Sequence, residues 1–163
     1  MNQPVATPYP INDFLQWQVG KQLVLTPKFQ RRKVWPDKAK SYLIDTILRS
    51  MPMPPIFIRL SIDPVKRRTI REVVDGQQRL ATIIAYIENK FPVSKIHNAE
   101  FADKYFADLP QQVQTDFLGY KLNTNVLEDF SDAEVLEIFA RINTYTVSLN
   151  AQELRNAKFT GAF

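Results

Sequence analysis

The hydrophobic positions switch between two periods along the chain, and the switch points mark its elements. Ile11, Phe14, Leu15 and Trp17 recur at helical spacing and predict a short helix. Before it, Met1–Pro10 carries prolines without an apolar period and reads as an extended arm. Leu23-Val24-Leu25 predicts a short strand, closed by Thr26-Pro27. Pro36 suits the first turn of a helix. Ala39, Leu43, Ile44, Ile47 and Leu48 then give that helix one apolar face to about Arg49. The run Met51-Pro52-Met53-Pro54-Pro55 stops it. Ile56–Leu60 and Thr69–Val74 predict two strands paired as a hairpin, turned at Asp63-Pro64. A helix follows with Leu80, Ile83, Ile84 and Ile87 on its buried face.

Beyond Lys90 the pattern weakens. Phe101, Tyr105, Phe106 and Leu109 suggest a partly helical aromatic cluster, Pro110–Leu118 a short helix and Lys121–Leu127 a strand. Ser131-Asp132-Ala133-Glu134 has the spacing of a capping box and opens a helix with Val135, Ile138, Phe139 and Ile142 facing inward. Asn150-Ala151-Gln152-Glu153 repeats the device for a last helix to about Phe159. The organisation expected is an arm and short helix over 1–22, then one domain over 23–163.

Composition narrows the chemistry. The 163 residues are 45% hydrophobic, enough for one core. There is no cysteine and a single histidine, His97. That excludes disulfides, thiol nucleophiles, zinc ribbons, iron–sulfur clusters and sites built on several histidines. Four glycines cannot write either standard glycine-rich phosphate loop. A net charge of +4 is compatible with nucleic acid and equally with an ordinary solvated surface. No apolar run approaches the ~20 residues of a membrane span, and the start does not read as a secretory leader. A cytoplasmic protein without membrane partners is expected.

The most informative segment is Asp75-Gly76-Gln77-Gln78-Arg79, between an apolar strand and an apolar helix. A helix N-terminus offers unpaired N–H groups and a positive dipole end. Gly76 permits a sharp turn and a close ligand. Gln77 and Gln78 add amides, and Arg79 a fork suited to phosphate. Asp75 can hold magnesium or polarise a water. The simpler alternative makes Asp75 a helix cap, Gly76 a turn residue and the glutamines surface. A cap needs only one polar residue, so a phosphate site is favoured.

Three other groups carry polar chemistry. Arg31, Arg32 and Lys33 precede Trp35, which reads more readily as core than as a stacking platform. Arg141 and Asn143 lie before Asn150, Glu153 and Arg155, which plain capping accounts for only in part. Lys66, Arg67, Arg68 and Arg71 flank a turn and are either a DNA contact or a solvated charge run. His97 receives no role.

Taken in order, these segments resemble a known family. Phe29-Gln30-Arg31 with Trp35, Leu43–Leu48, Pro52–Pro55, Val74–Leu80, Phe139–Thr144 and Leu149–Ala157 are similar to the N-terminal domain of GmrSD-type restriction endonucleases. The resemblance implies a ParB/sulfiredoxin-like fold: a compact α/β (α+β) domain with a small mixed sheet and surrounding helices. It implies binding and hydrolysis of a nucleoside triphosphate with magnesium at the D-G-Q-Q-R loop, in support of cleavage of modified phage DNA. Asp75, Gln77, Gln78 and Arg79 would be the catalytic group, with Asp75 the magnesium ligand. Arg31, Gly76, Arg79, Arg141, Asn143 and Glu153 would hold the nucleotide; by their charge, and not by the resemblance, Arg32, Lys33, Lys66, Arg67 and Arg68 are the candidates for touching DNA. Tyr145 and Thr146 stand where the family commonly has glycines, and Lys33 where it often has an aromatic. A nuclease centre is expected in another domain or subunit. The alternative is a non-catalytic DNA- or nucleotide-binding module that signals to such a partner, and a homo-oligomer is a further expectation.

Overall fold

Five strands pair into one mixed sheet in the computed structural model of the chain, which describes residues 3–25 and 35–145. The chain divides into two compact units: Asn2–Asp129 carries the sheet, and a second unit begins at Phe130. In the first unit the elements run β1 (Val5–Pro10), α1 (Ile11–Val19), β2 (Leu23–Val24), α2 (Asp37–Leu48), β3 (Ile56–Asp63) and β4 (Arg68–Asp75). Then come α3 (Gln77–Ile87), a single 3-10 turn (Phe106–Asp108), α4 (Gln111–Leu118) and β5 (Lys121–Leu127). This is the α/β class expected, with a small mixed sheet and accompanying helices.

The strand order is β1-β5-β3-β4-β2. β3 and β4 form the expected antiparallel hairpin, while β5 lies parallel to β3 and β2 parallel to β4. The segment read as an extended arm is extended, and it is also paired: Val5–Pro10 runs antiparallel to β5, with Val5 opposite Val126 and Pro10 opposite Lys121. Pro8 and Pro10 conceal it from pattern reading, yet an edge strand tolerates them because a missing N–H breaks no second ladder.

The apolar faces predicted for α2 and α3 meet the sheet. Ile44 and Ile47 of α2, Ile56 and Ile58 of β3, and Leu80 and Ile83 of α3 are all buried in one core. Trp35 packs against that core, as expected. Tyr9, Phe14 and Trp17 close one end with edge-on ring contacts, and the Arg71 guanidinium sits 4.1 Å over the Trp17 ring. His97 also finds a place. Its Nδ1 lies 2.9 Å from Ser41 Oγ, and beside it Asn98 donates to the buried Asp45, which also accepts from Arg49 Nε. These bonds tie the loop after α3 to α2.

In the second unit, residues 132–145 form a helix, α5. Its capping box is complete: Ser131 N–H donates to Glu134 Oε1 at 3.0 Å, and Glu134 N–H donates to Ser131 Oγ at 3.2 Å. Val135 is buried and Ile138, Phe139 and Ile142 are half-buried, matching the predicted inward face. The helix expected from Asn150 lies outside the described residues. No helix among the described residues is long and apolar enough to cross a membrane.

Candidate functional site

The Asp75–Arg79 loop is built by a break in strand pairing followed by a left-handed turn. Asp75 stands opposite Phe57, but Val73 stands opposite Ile58, so β4 carries an extra residue at its end. Such a bulge re-aims the chain as it leaves the sheet. Gly76 then takes φ 108° and ψ 11° and serves as the N-cap of α3. A side chain is excluded there twice over, by the positive φ and by Ile56, whose Cδ1 a β-carbon would strike. Asp75 is therefore not the helix cap, and no side chain caps α3. The first intrahelical donor is Leu80 N–H, which reaches Gly76 O at 3.0 Å. The amides of Gln77, Gln78 and Arg79 precede it at the positive end of the helix.

The four polar side chains have different employments. Gln77 is only 6% exposed, and its Nε2 donates back to Val73 O at 2.9 Å and Val74 O at 3.1 Å. That bond stitches the helix start to the end of β4. Its Oε1 is buried without a hydrogen-bond partner. Arg79 is clamped: Nη1 donates to Pro54 O and Nη2 to Pro55 O at 3.1 Å, with Asp75 Oδ2 3.6 Å away. Burial pushes the Asp75 carboxyl above the usual aspartate range, and the Arg79 charge opposes that shift. Burial likewise lowers the Arg79 guanidinium from its ordinary value, with Asp75 opposing. Gln78 is half-buried, and its side chain has no hydrogen-bond partner among the described residues.

The arrangement thus offers an anion three amides and the Gln78 carboxamide, with the desolvated Asp75 carboxyl beside them for a water or a cation. No cluster of three or more metal-ligating side chains occurs among the described residues. Asp75 suits magnesium only in the way that cation is often held, by one or two carboxylates with phosphates and waters completing the shell. Open clefts also lie elsewhere among the described residues. One of about 770 Å³ runs between Ser50–Met53 and Thr115–Asn123, and another of about 560 Å³ is walled by Leu48, Arg49 and Asn98–Phe101.

The other expected site residues fall into three groups. Arg31, Arg32, Lys33 and Glu153 lie outside the described residues. Arg141 and Asn143 are exposed on α5 in the second unit, where Arg141 pairs with Glu137 at 3.2 Å. Lys66 and Arg67 are exposed in the β3–β4 turn, and Arg68 donates to Gly20 O at 2.6 Å. Sequence reading missed the Pro54 and Pro55 carbonyls. The available signal was the proline run itself, which supplies carbonyl acceptors but no N–H donors.

A family model described as the GmrSD restriction endonuclease, N-terminal domain, matches residues 11–160. The chain belongs to that family. No curated protein matches this GmrSD N-terminal domain. Among solved structures, it is similar to the C-terminally truncated chromosome-partitioning protein ParB from Caulobacter crescentus, complexed with CTP-gamma-S. The identity is 19% and the TM-score 0.45, over 85% of this chain and 52% of that one. The GmrSD domain thus spans about half the length of that ParB chain.

Proposed function

We propose that this domain binds a nucleoside triphosphate at Asp75–Arg79 and hydrolyses it, as the regulatory part of a DNA-restriction system. Cutting would reside in another domain or subunit. The reading is carried by the loop geometry in a GmrSD N-terminal domain: a left-handed Gly76 that opens α3, with the Gln77, Gln78 and Arg79 amides leading the helix beside the Asp75 carboxylate. Those amides would receive phosphate oxygens, favoured by the helix dipole. Asp75 would orient the attacking water or hold the magnesium, which when bound neutralises charge on the phosphates. Gln78, whose side chain has no hydrogen-bond partner among the described residues, would position the same water. Gln77 and Arg79 would serve from behind, holding the loop in shape.

Phosphate release measured with each of the four NTPs tests this, comparing wild type with Asp75→Ala. Magnesium-dependent release that is lost in the variant supports the reading; equal background from both proteins refutes it.

One observation favours a second reading, a module that binds without turnover. The Arg79 fork and the Gln77 amide are both engaged by backbone carbonyls, which leaves two side chains for chemistry. Saturable nucleotide binding without phosphate release would select it.

A further inference from the structure

We propose that the tip of the β3–β4 hairpin, with the neighbouring Val19–Lys21 turn, is a surface for duplex DNA. The strand pattern comes first. Ile56, Ile58, Leu60 and Ile62 alternate onto one face of β3. Ile56 and Ile58 are fully buried and Leu60 packs against the core, but Ile62 is 75% exposed. Val65, in the turn beyond, is 87% exposed. The apolar face of the hairpin outruns the core that it serves.

Hydrogen bonds shape the overhang. Asp63 Oδ1 accepts from Val65 N–H at 3.0 Å and from Lys66 N–H at 3.2 Å, and Arg67 takes a left-handed φ of 53°. At its base, Arg68 donates to Gly20 O and brings the Val19–Lys21 turn alongside. That turn adds Val19, 85% exposed, and the exposed Lys21. Lys21, Lys66 and Arg67 have no ion-pair partner among the described residues. The nearby acids are occupied: Asp63 in the turn, and Glu72 by Arg59 at 3.1 Å.

A solvated charge run explains three cations but not three branched apolar residues held in water among them. A polyanion with apolar surface between its charges explains both. Lysine and arginine neutralise phosphates, while small apolar side chains meet sugar and base edges, and a two-stranded β-ribbon fits a DNA groove. Arg68 is set apart from the contact, since its Nη1 is held at the base of the hairpin by Gly20 O and its Nε is buried. The surface is independent of the nucleotide loop, so either proposal can fail alone.

Fluorescence anisotropy of a labelled duplex on the full chain, over a salt series, tests it. Lys66→Gln with Arg67→Asn removes two charges, and asparagine suits the left-handed position. The pair should weaken binding and flatten the slope of log affinity against log salt by roughly 2, so that the drop between about 50 and 200 mM shrinks about tenfold. Lys21→Gln, on a separate element, should flatten it by roughly 1. Val65→Ser should weaken binding and leave the slope unchanged. Loss of DNA binding with these slopes supports the proposal. Wild type that ignores duplex at low salt, or charge variants with wild-type affinity and slope, overturns it and leaves the overhang to an acidic protein partner.

Discussion

Alanine at Gly76 meets two separate obstacles, and their separation makes it a sharp test of the loop. The backbone stands at φ 108°, ψ 11°, where a non-glycine residue costs about 1–3 kcal/mol. The added β-carbon also strikes Cδ1 of Ile56, a fully buried side chain with no solvent to swing into. Overpacking of that kind costs about 1–3 kcal/mol. Gly76→Ala should therefore cost about 2–6 kcal/mol, a large share of a stability near 5–15 kcal/mol. Urea unfolding measures it, and Ile56→Val divides it. Valine lacks Cδ1 and alone costs about 0.5–1.5 kcal/mol. In the Ile56→Val background the collision disappears while the backbone strain stays, so Gly76→Ala should cost about 1–3 kcal/mol less than in wild type. A Gly76→Ala protein within about 0.5 kcal/mol of wild type would refute the close approach and the strained turn together, whereas a strictly additive pair would refute the close approach alone.

The remaining predictions concern the polar side chains. Burial holds the folded Asp75 carboxyl above its unfolded value of about 3.9, so its contribution is intact below that pH and is lost as pH rises through the folded value. Asp75→Asn, which stays neutral, should gain stability relative to wild type from about pH 3 to about pH 7 while losing nucleotide chemistry; a constant difference across that range in urea melts contradicts this. Gln77→Glu sets a carboxylate against the Val73 and Val74 carbonyls and should cost at least about 3 kcal/mol, read by thermal melting. Arg79→Lys loses the fork on Pro54 and Pro55 and should cost about 1–3 kcal/mol. Arg79→Ala also strips Asp75 of its cation, so the Asp75 carboxyl resonance should titrate higher than in wild type; an unmoved titration rejects the pairing.

What the sequence made legible was local. The hairpin, the two long helices and the capping box at Ser131 follow from periodicity and spacing, because each is decided within a few residues. Prolines erase the alternation of β1, so its sequence reads as an arm, and only its pairing with β5, more than a hundred residues on, makes it a strand. The loop at Asp75–Arg79 stood out because four polar residues and one glycine interrupt an apolar strand–helix junction. Its backing did not. Nothing near Gly76 in the chain announces that Ile56 presses on it, or that Arg79 will find two proline carbonyls about 25 residues upstream before any phosphate. The Ser41–His97 and Asp45–Asn98 bonds are likewise tertiary, joining residues over fifty positions apart.

The central claim is that a triphosphate sits on the N-terminus of α3. Amide chemical-shift mapping with an NTP and magnesium tests it most directly. The account predicts saturable shifts concentrated at Gly76, Gln77, Gln78 and Arg79, abolished in Asp75→Ala or Gly76→Ala proteins that remain folded. Saturable shifts that bypass those amides, or no shifts with any of the four nucleotides, would contradict it.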